Sequence, residues 1–114
     1  MKRFEVTLLD ESISDIKAGK RFYENIAEGI GGYFTDSTMG DIASLRLHAG
    51  VHPVRFGYHR MLLKRFPFAV YYSTESNLAC VVAVLDMRQN PAGIRAILDE
   101  RDERPNAPSG RGIT

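Results

Sequence analysis

Hydrophobic and polar positions change period along the chain, and each change marks an element boundary. From Arg3 to Leu9, apolar Phe4, Val6 and Leu8 alternate with polar neighbours, the period of a half-buried strand. Ile13, Ile16, Phe22, Tyr23, Ile26 and Ile30 then recur at helical spacing, with Lys17, Lys20, Arg21, Glu24 and Glu28 on the remaining faces. Asp10 or Ser12 is expected to cap this helix, and Ser12 with Asp15 forms a weak capping box. Gly29, Gly31 and Gly32 interrupt the pattern. A second helix is expected from Tyr33 to about Leu47, burying Phe34, Ile42 and Leu45. The two make a helical hairpin.

Gly50 to Pro53 is a breaker cluster, after which the period becomes that of extended chain. Strands are expected at Val54 to Lys64, Phe66 to Ser73 and Leu78 to Met87. Thr74 to Asn77 is short enough for a hairpin turn, with Asn77 the residue that tolerates positive φ. Ala79 to Leu85 is apolar on both parities, as in a central strand covered on both faces. Asn90 and Pro91 start a last helix, with Ile94, Ile97 and Leu98 as its stripe. The predicted fold class is α+β. An antiparallel twisted sheet, made of the N-terminal strand and a three-stranded meander, packs on the α-helical hairpin, with a short C-terminal helix. Phe34, Ile42 and Leu45 should lie beneath Val70, Val82 and Val84 or their opposite-parity neighbours. Residues 1–101 form the domain, and 102–114, with Pro105, Pro108, Gly110 and Gly112, read as a flexible tail.

Composition adds one decisive fact. At 114 residues, 44% hydrophobic and 25% charged, this is one ordinary globular domain. The formal net charge of +1 hides a segregated distribution. From Ile42 to Thr74 there is no Asp or Glu, yet Arg46, Arg55, Arg60, Lys64, Arg65 and all three histidines, His48, His52 and His59, lie there. Such a segment usually meets an anionic partner. The lone Cys80 sits in the apolar run as a small buried hydrophobe, in keeping with a reducing cytoplasm. Three His and one Cys lack zinc-ligand spacing, so neither metal nor cofactor is expected. No apolar stretch reaches the length of a signal peptide or a membrane span.

The run Gly57-Tyr58-His59-Arg60, then Leu62-Leu63-Lys64-Arg65-Phe66-Pro67-Phe68 and Tyr71-Tyr72, resembles the RelE/ParE superfamily of toxins from bacterial type II toxin–antitoxin modules. The block Val81 to Leu85, followed by Met87-Arg88-Gln89-Asn90-Pro91, is similar to that family's closing strand and basic turn. The resemblance covers Phe4 to about Arg101 and is nearest the ParE-like, plasmid-stabilisation branch. It implies a cytoplasmic toxin neutralised by a cognate antitoxin, with a homodimer or a toxin–antitoxin heterotetramer as the implied assemblies. It implies two alternative targets: inhibition of DNA gyrase, or ribosome-dependent cleavage of messenger RNA. A third reading is a degenerate toxin that keeps only antitoxin binding.

The residues weigh on that choice. Metal-free RNA cleavage needs a base, a cation for the phosphorane and an acid for the leaving oxygen. Tyr58, Arg60, Lys64 and Arg88 are the candidates if the chain is a nuclease. Strand alternation puts Tyr58, Arg60 and Lys64 on one face, with His59, Met61, Leu63 and Arg65 on the other. RelE-like nucleases tend to carry a Tyr near the C-terminus, whereas this chain has none after Tyr72. A binding inhibitor that performs no chemistry is therefore favoured, with Arg60, Lys64, Arg65 and Arg88 as binding residues. The plainer role for Arg60 and Lys64 is a charged edge that discourages sheet aggregation. Asp86 offers Arg88 a structural partner. Tyr71 and Tyr72 should face opposite ways, and His48 and His52 should be exposed loop residues.

Overall fold

The computed structural model describes residues 3–102. In chain order these form β1 (Glu5–Leu8), α1 (Asp10–Ile26), α2 (Ile30–Ala43), the short helical turn α3 (Leu45–His48), β2 (Val54–Arg55), β3 (Tyr58–Leu62), β4 (Phe68–Glu75), β5 (Leu78–Asp86) and α4 (Pro91–Asp102). One five-stranded sheet results, with strand order β1-β5-β4-β3-β2. The fold class is α+β as expected, but the sheet is mixed: β1 runs parallel to β5, and every other pair is antiparallel. Asp102 closes α4, and the expected flexible tail otherwise lies outside the described residues.

The hairpin of α1 and α2 forms, but α1 buries a different stripe from the one its large apolar residues suggest. Its buried positions are Ser12, Ile16, Gly19 and Tyr23. Ile13, Phe22 and Ile26 remain substantially exposed. The reason is close approach. A Cβ on Gly19 would lie 2.5 Å from the Phe34 ring, and one on Gly31 would lie 2.6 Å from the Lys20 carbonyl oxygen. Small residues, not large ones, define the contact. The expected caps are also replaced. Leu9 occupies the α1 N-cap without a side-chain bond, and the Ser12 hydroxyl donates to the Leu9 carbonyl at 2.7 Å. Glu24 instead accepts the Gly29 and Gly31 N–H groups at 3.0 and 2.9 Å, which pulls its carboxyl below the usual range. It thereby satisfies donors that a helix start would leave orphaned.

What was expected as one strand from Val54 to Lys64 is a second hairpin. Phe56 and Gly57 have φ of 55° and 85°, the left-handed pair of a type I′ turn, and fold β2 onto β3. A Phe at that position hides the turn from the sequence. In the β4–β5 turn, Ser76 rather than Asn77 carries the positive φ, at 54°.

An irregularity at Tyr71/Tyr72 shifts the β4–β5 register, so that Tyr71 faces Ala83 and Tyr72 faces Val81. Beneath the hairpin, Phe34, Ile42 and Leu45 pack with Val70, Tyr72, Val81 and Val84. Val82 goes to the opposite face with Tyr71, Ala83, Ile94 and Leu98, under α4. The sheet is thus covered on both sides. Cys80 is a buried free thiol, and burial pushes its pKa up.

Two side chains complete β5. β1 pairs with it only as far as Val81. Beyond that point Asp15 of α1 accepts the Val84 N–H at 2.9 Å, while Arg101 of α4 donates to the Val82 carbonyl at 2.9 Å. Arg101 and Asp15 are themselves paired at 2.7 and 3.0 Å, both largely buried.

Two stability predictions follow. Gly19→Ala forces a methyl into Phe34 and should cost about 1–3 kcal/mol by overpacking, read from urea denaturation. Asp15→Asn and Arg101→Met should each cost about 3 kcal/mol, since each strands a buried charge. In the double variant the two losses should fall well short of adding. Full additivity would show that the pair is not coupled.

Candidate functional site

The β2–β3 hairpin sets Arg55 opposite Tyr58, and the β3–β4 ladder sets Arg60 opposite Tyr71. These four side chains therefore share the α4 face of the sheet, since cross-strand partners point the same way. Arg60 is half-buried, and its Nε is buried without a hydrogen-bond partner. Burial pushes the Tyr71 phenol up, while the nearby Arg60 and Arg55 guanidinium groups pull it back. The Tyr71 hydroxyl lies 3.4 Å from Met87 Sδ. Tyr58 donates to Asp102 Oδ1 at 3.0 Å. Burial, that hydrogen bond and the charges of Asp102 and Asp99 push its phenol far above neutrality. Its proton is held, so Tyr58 suits a donor's role rather than a base's.

Lys64 and Arg65 lie in the turn after β3 and are exposed. Because β3 ends at Leu62, strand alternation carries Tyr58 and Arg60 to one face but does not extend to Lys64. The Lys64 N–H donates to Asp41 Oδ2 at 3.0 Å. Arg88 grips Asp86 with Nε at 2.9 Å and Nη2 at 2.7 Å, realising the structural pairing read from the sequence. The two stabilise each other's charged forms, lowering the Asp86 pKa and raising that of Arg88. Even so, the Arg88 side chain is 57% exposed and presents its cation to solvent. The Met87 N–H donates to the Pro67 carbonyl at 2.8 Å, so the turns bearing Lys64, Arg65 and Arg88 are neighbours. Arg60 lies within β3 rather than in these turns, and shares a groove with Lys64.

The histidines lie elsewhere and are not all loop residues in water. His48 is exposed, but His52 is half-buried, with Nδ1 2.6 Å from the hydroxyl of fully buried Tyr72. The Gly50 N–H also reaches that hydroxyl, at 2.9 Å. His59 stacks on the Tyr72 ring at 5.1 Å, with Nδ1 2.8 Å from the His52 carbonyl oxygen. This cluster borders a groove of about 570 Å³ lined by Asp41, His48, His52, Arg60, Leu62 and Lys64, among others. Sequence reading missed Arg55, Asp102 and the His52–Tyr72 contact. Only the one-signed charge of the segment could have pointed to Arg55.

Among the described residues, no group of three or more His, Cys, Asp or Glu could hold a metal ion. None of the described helices is long and apolar enough to cross a membrane.

No family model and no curated protein matches the chain. A chain of the chromosomal ParDE TA system from P. aeruginosa is similar in structure, with a TM-score of 0.67 at 13% sequence identity. The match covers 75% of this chain and 98% of that one. The likeness bears out the fold expected from the sequence resemblance.

The unpartnered Arg60 Nε generates a prediction. Arg60→Met keeps the stem packed and removes both the unpaired Nε donor and the guanidinium's hydrogen bond to Tyr71, so the two effects should nearly cancel, leaving stability within about 1 kcal/mol. The midpoint of urea denaturation reads this. A larger drop in the midpoint would mean that the guanidinium is satisfied and structural.

Proposed function

We propose that this protein is the toxin of a type II toxin–antitoxin module, arresting growth by docking on a protein target and restrained by a cognate antitoxin. The structural likeness to a chain of a ParDE system carries this reading. DNA gyrase is the target that the ParE-like resemblance favours. The cations support an anionic docking partner: Arg88, Lys64 and Arg65 stand exposed around adjacent turns, and Arg60 retains an unused donor.

The proton-handling groups support inhibition rather than phosphodiester cleavage. Tyr58 donates a hydrogen bond to Asp102, and burial together with that carboxylate pushes its phenol up. His59 belongs to the hairpin side of the sheet with Tyr72, away from Arg60 and Tyr58. His59 and Arg60 leave β3 on opposite faces, so His59 is poorly placed as the base for a phosphate held by Arg60.

Induction without antitoxin should trigger the DNA-damage response before translation falls, followed by reporter expression and pulse labelling. Arg60→Met and the triple change Arg60→Ala, Lys64→Ala and Arg88→Ala should weaken toxicity while the chain still folds. Tyr58→Phe should remain toxic with messenger RNA intact. If Tyr58→Phe abolishes toxicity and wild-type induction cleaves ribosome-bound messenger RNA, the chain is a nuclease. Harmless high-level expression of the wild type would remove the toxin reading.

A further inference from the structure

The segment from Ala49 to Arg55 is held to the sheet by few bonds. β2 contains only Val54 and Arg55, and the ladder ends with the Arg60 N–H donating to the Pro53 carbonyl at 2.8 Å. Proline has no N–H to return, so pairing stops there. Gly50, at φ of 94°, lets the chain turn in from α3. What anchors the turn is the Tyr72 hydroxyl. The backbone N–H groups of Gly50 and His52 are both directed at its oxygen. With those donors on the oxygen, the hydroxyl proton has one acceptor in reach, His52 Nδ1 at 2.6 Å. Nδ1 accepts that proton when His52 is neutral and carries its own proton on Nε2.

A second proton on the ring reverses this bond. Nδ1 would become a donor facing an oxygen already supplied with donors, and the hydroxyl of a fully buried tyrosine would lose its acceptor. The surroundings would not compensate the charge. His48 from α3 and His59 from β3 both act against it, Arg60 and Lys64 line the same groove, and His59 donates to the His52 carbonyl. The carboxylate in the groove, Asp41 of α2, is engaged by the Lys64 N–H.

We propose that His52, Tyr72 and His59 form a proton-operated latch, which clips residues 49–55 to the sheet at neutral pH and releases them in mildly acidic solution, widening the groove beside β3. The His52 pKa is lowered by burial first, then by His59 and His48. The sign follows. A histidine depressed in the folded state favours folding when neutral, so its contribution is complete above about 6.5 and is lost as pH falls toward the depressed value. Release would also leave the groove more cationic, with protonated His52 joining Arg60 and Lys64. The latch depends on this local geometry alone, whatever the protein's target.

Amide hydrogen exchange tests it on the intact chain. Corrected for the intrinsic rate, protection of the Gly50 and Arg60 amides should fall between about pH 7.5 and pH 5, while that of Val84, in the middle of the sheet, should hold. In His52→Gln, which cannot gain the charge, the pH dependence at Gly50 and Arg60 should vanish. Imidazole NMR supplies a readout without a variant. His52 should titrate below the ordinary value, with Nδ1 as the unprotonated nitrogen. Protection that is constant with pH, an unchanged pH response in His52→Gln, or a His52 pKa at or above its ordinary value would each overturn the latch.

Discussion

β5 is the central strand, and the rest of the fold depends on how its edge is completed. β1 accompanies it only to Val81, because the chain must leave the sheet to begin α1 at Asp10. An unpaired N–H and C=O would otherwise remain in a region covered on both sides, at a cost of several kcal/mol. Asp15 and Arg101 supply the missing acceptor and donor, and neutralise each other while doing so. The pair also joins the helix on one face to the helix on the other. Ion pairs of this kind add little net stability over an apolar substitute, but they fix geometry. Here α4 is docked in the position that covers Tyr71 and gives Tyr58 the Asp102 carboxylate.

The sheet then acts as a partition. Tyr71 and Tyr72 are adjacent and fully buried, yet they belong to different cores. Tyr71 meets the arginines of the α4 face, and Tyr72 meets the histidines of the hairpin face. A segment with a single sign of charge is thereby divided into a cationic surface and a titratable cluster, which meet at the groove beside β3. The first suits steady attraction for an anion, and the second suits a response to pH. Separating them across the sheet is also what leaves His59 poorly placed for chemistry at Arg60.

The hairpin face draws its firmness from aromatic rings packed around two glycines. Tyr23 lies 5.2 Å from Phe34 and 4.7 Å from Phe66, and Phe34 lies 5.0 Å from Phe68. Gly19 leaves the space that Phe34 fills, and Gly31 brings α2 against the Lys20 carbonyl. Large residues displaced from this contact, Phe22, Ile26 and Tyr33, remain at the surface near the hairpin tip.

Periodicity alone determined much of this architecture. The β1 alternation, the unbroken apolar run of β5 and the Asn90-Pro91 helix start are local signals, because strand and helix place neighbours at fixed spacings. The Asn90 side chain indeed accepts the Ala92 N–H, at 2.7 Å. The resemblance that named the fold likewise rested on contiguous residues. Tertiary structure decided whatever depended on residues distant in sequence. Whether Ser12 and Gly19 or Ile13 and Phe22 face inward depended on how closely α2 could approach. The Phe56-Gly57 turn depended on β3 being held by β4, which outweighs a poor turn residue. Asp15 and Arg101 are separated by most of the chain, and His52 finds Tyr72 across a breaker loop. No spacing rule reaches that far, since such contacts exist only once the sheet has brought the ends of its strands together.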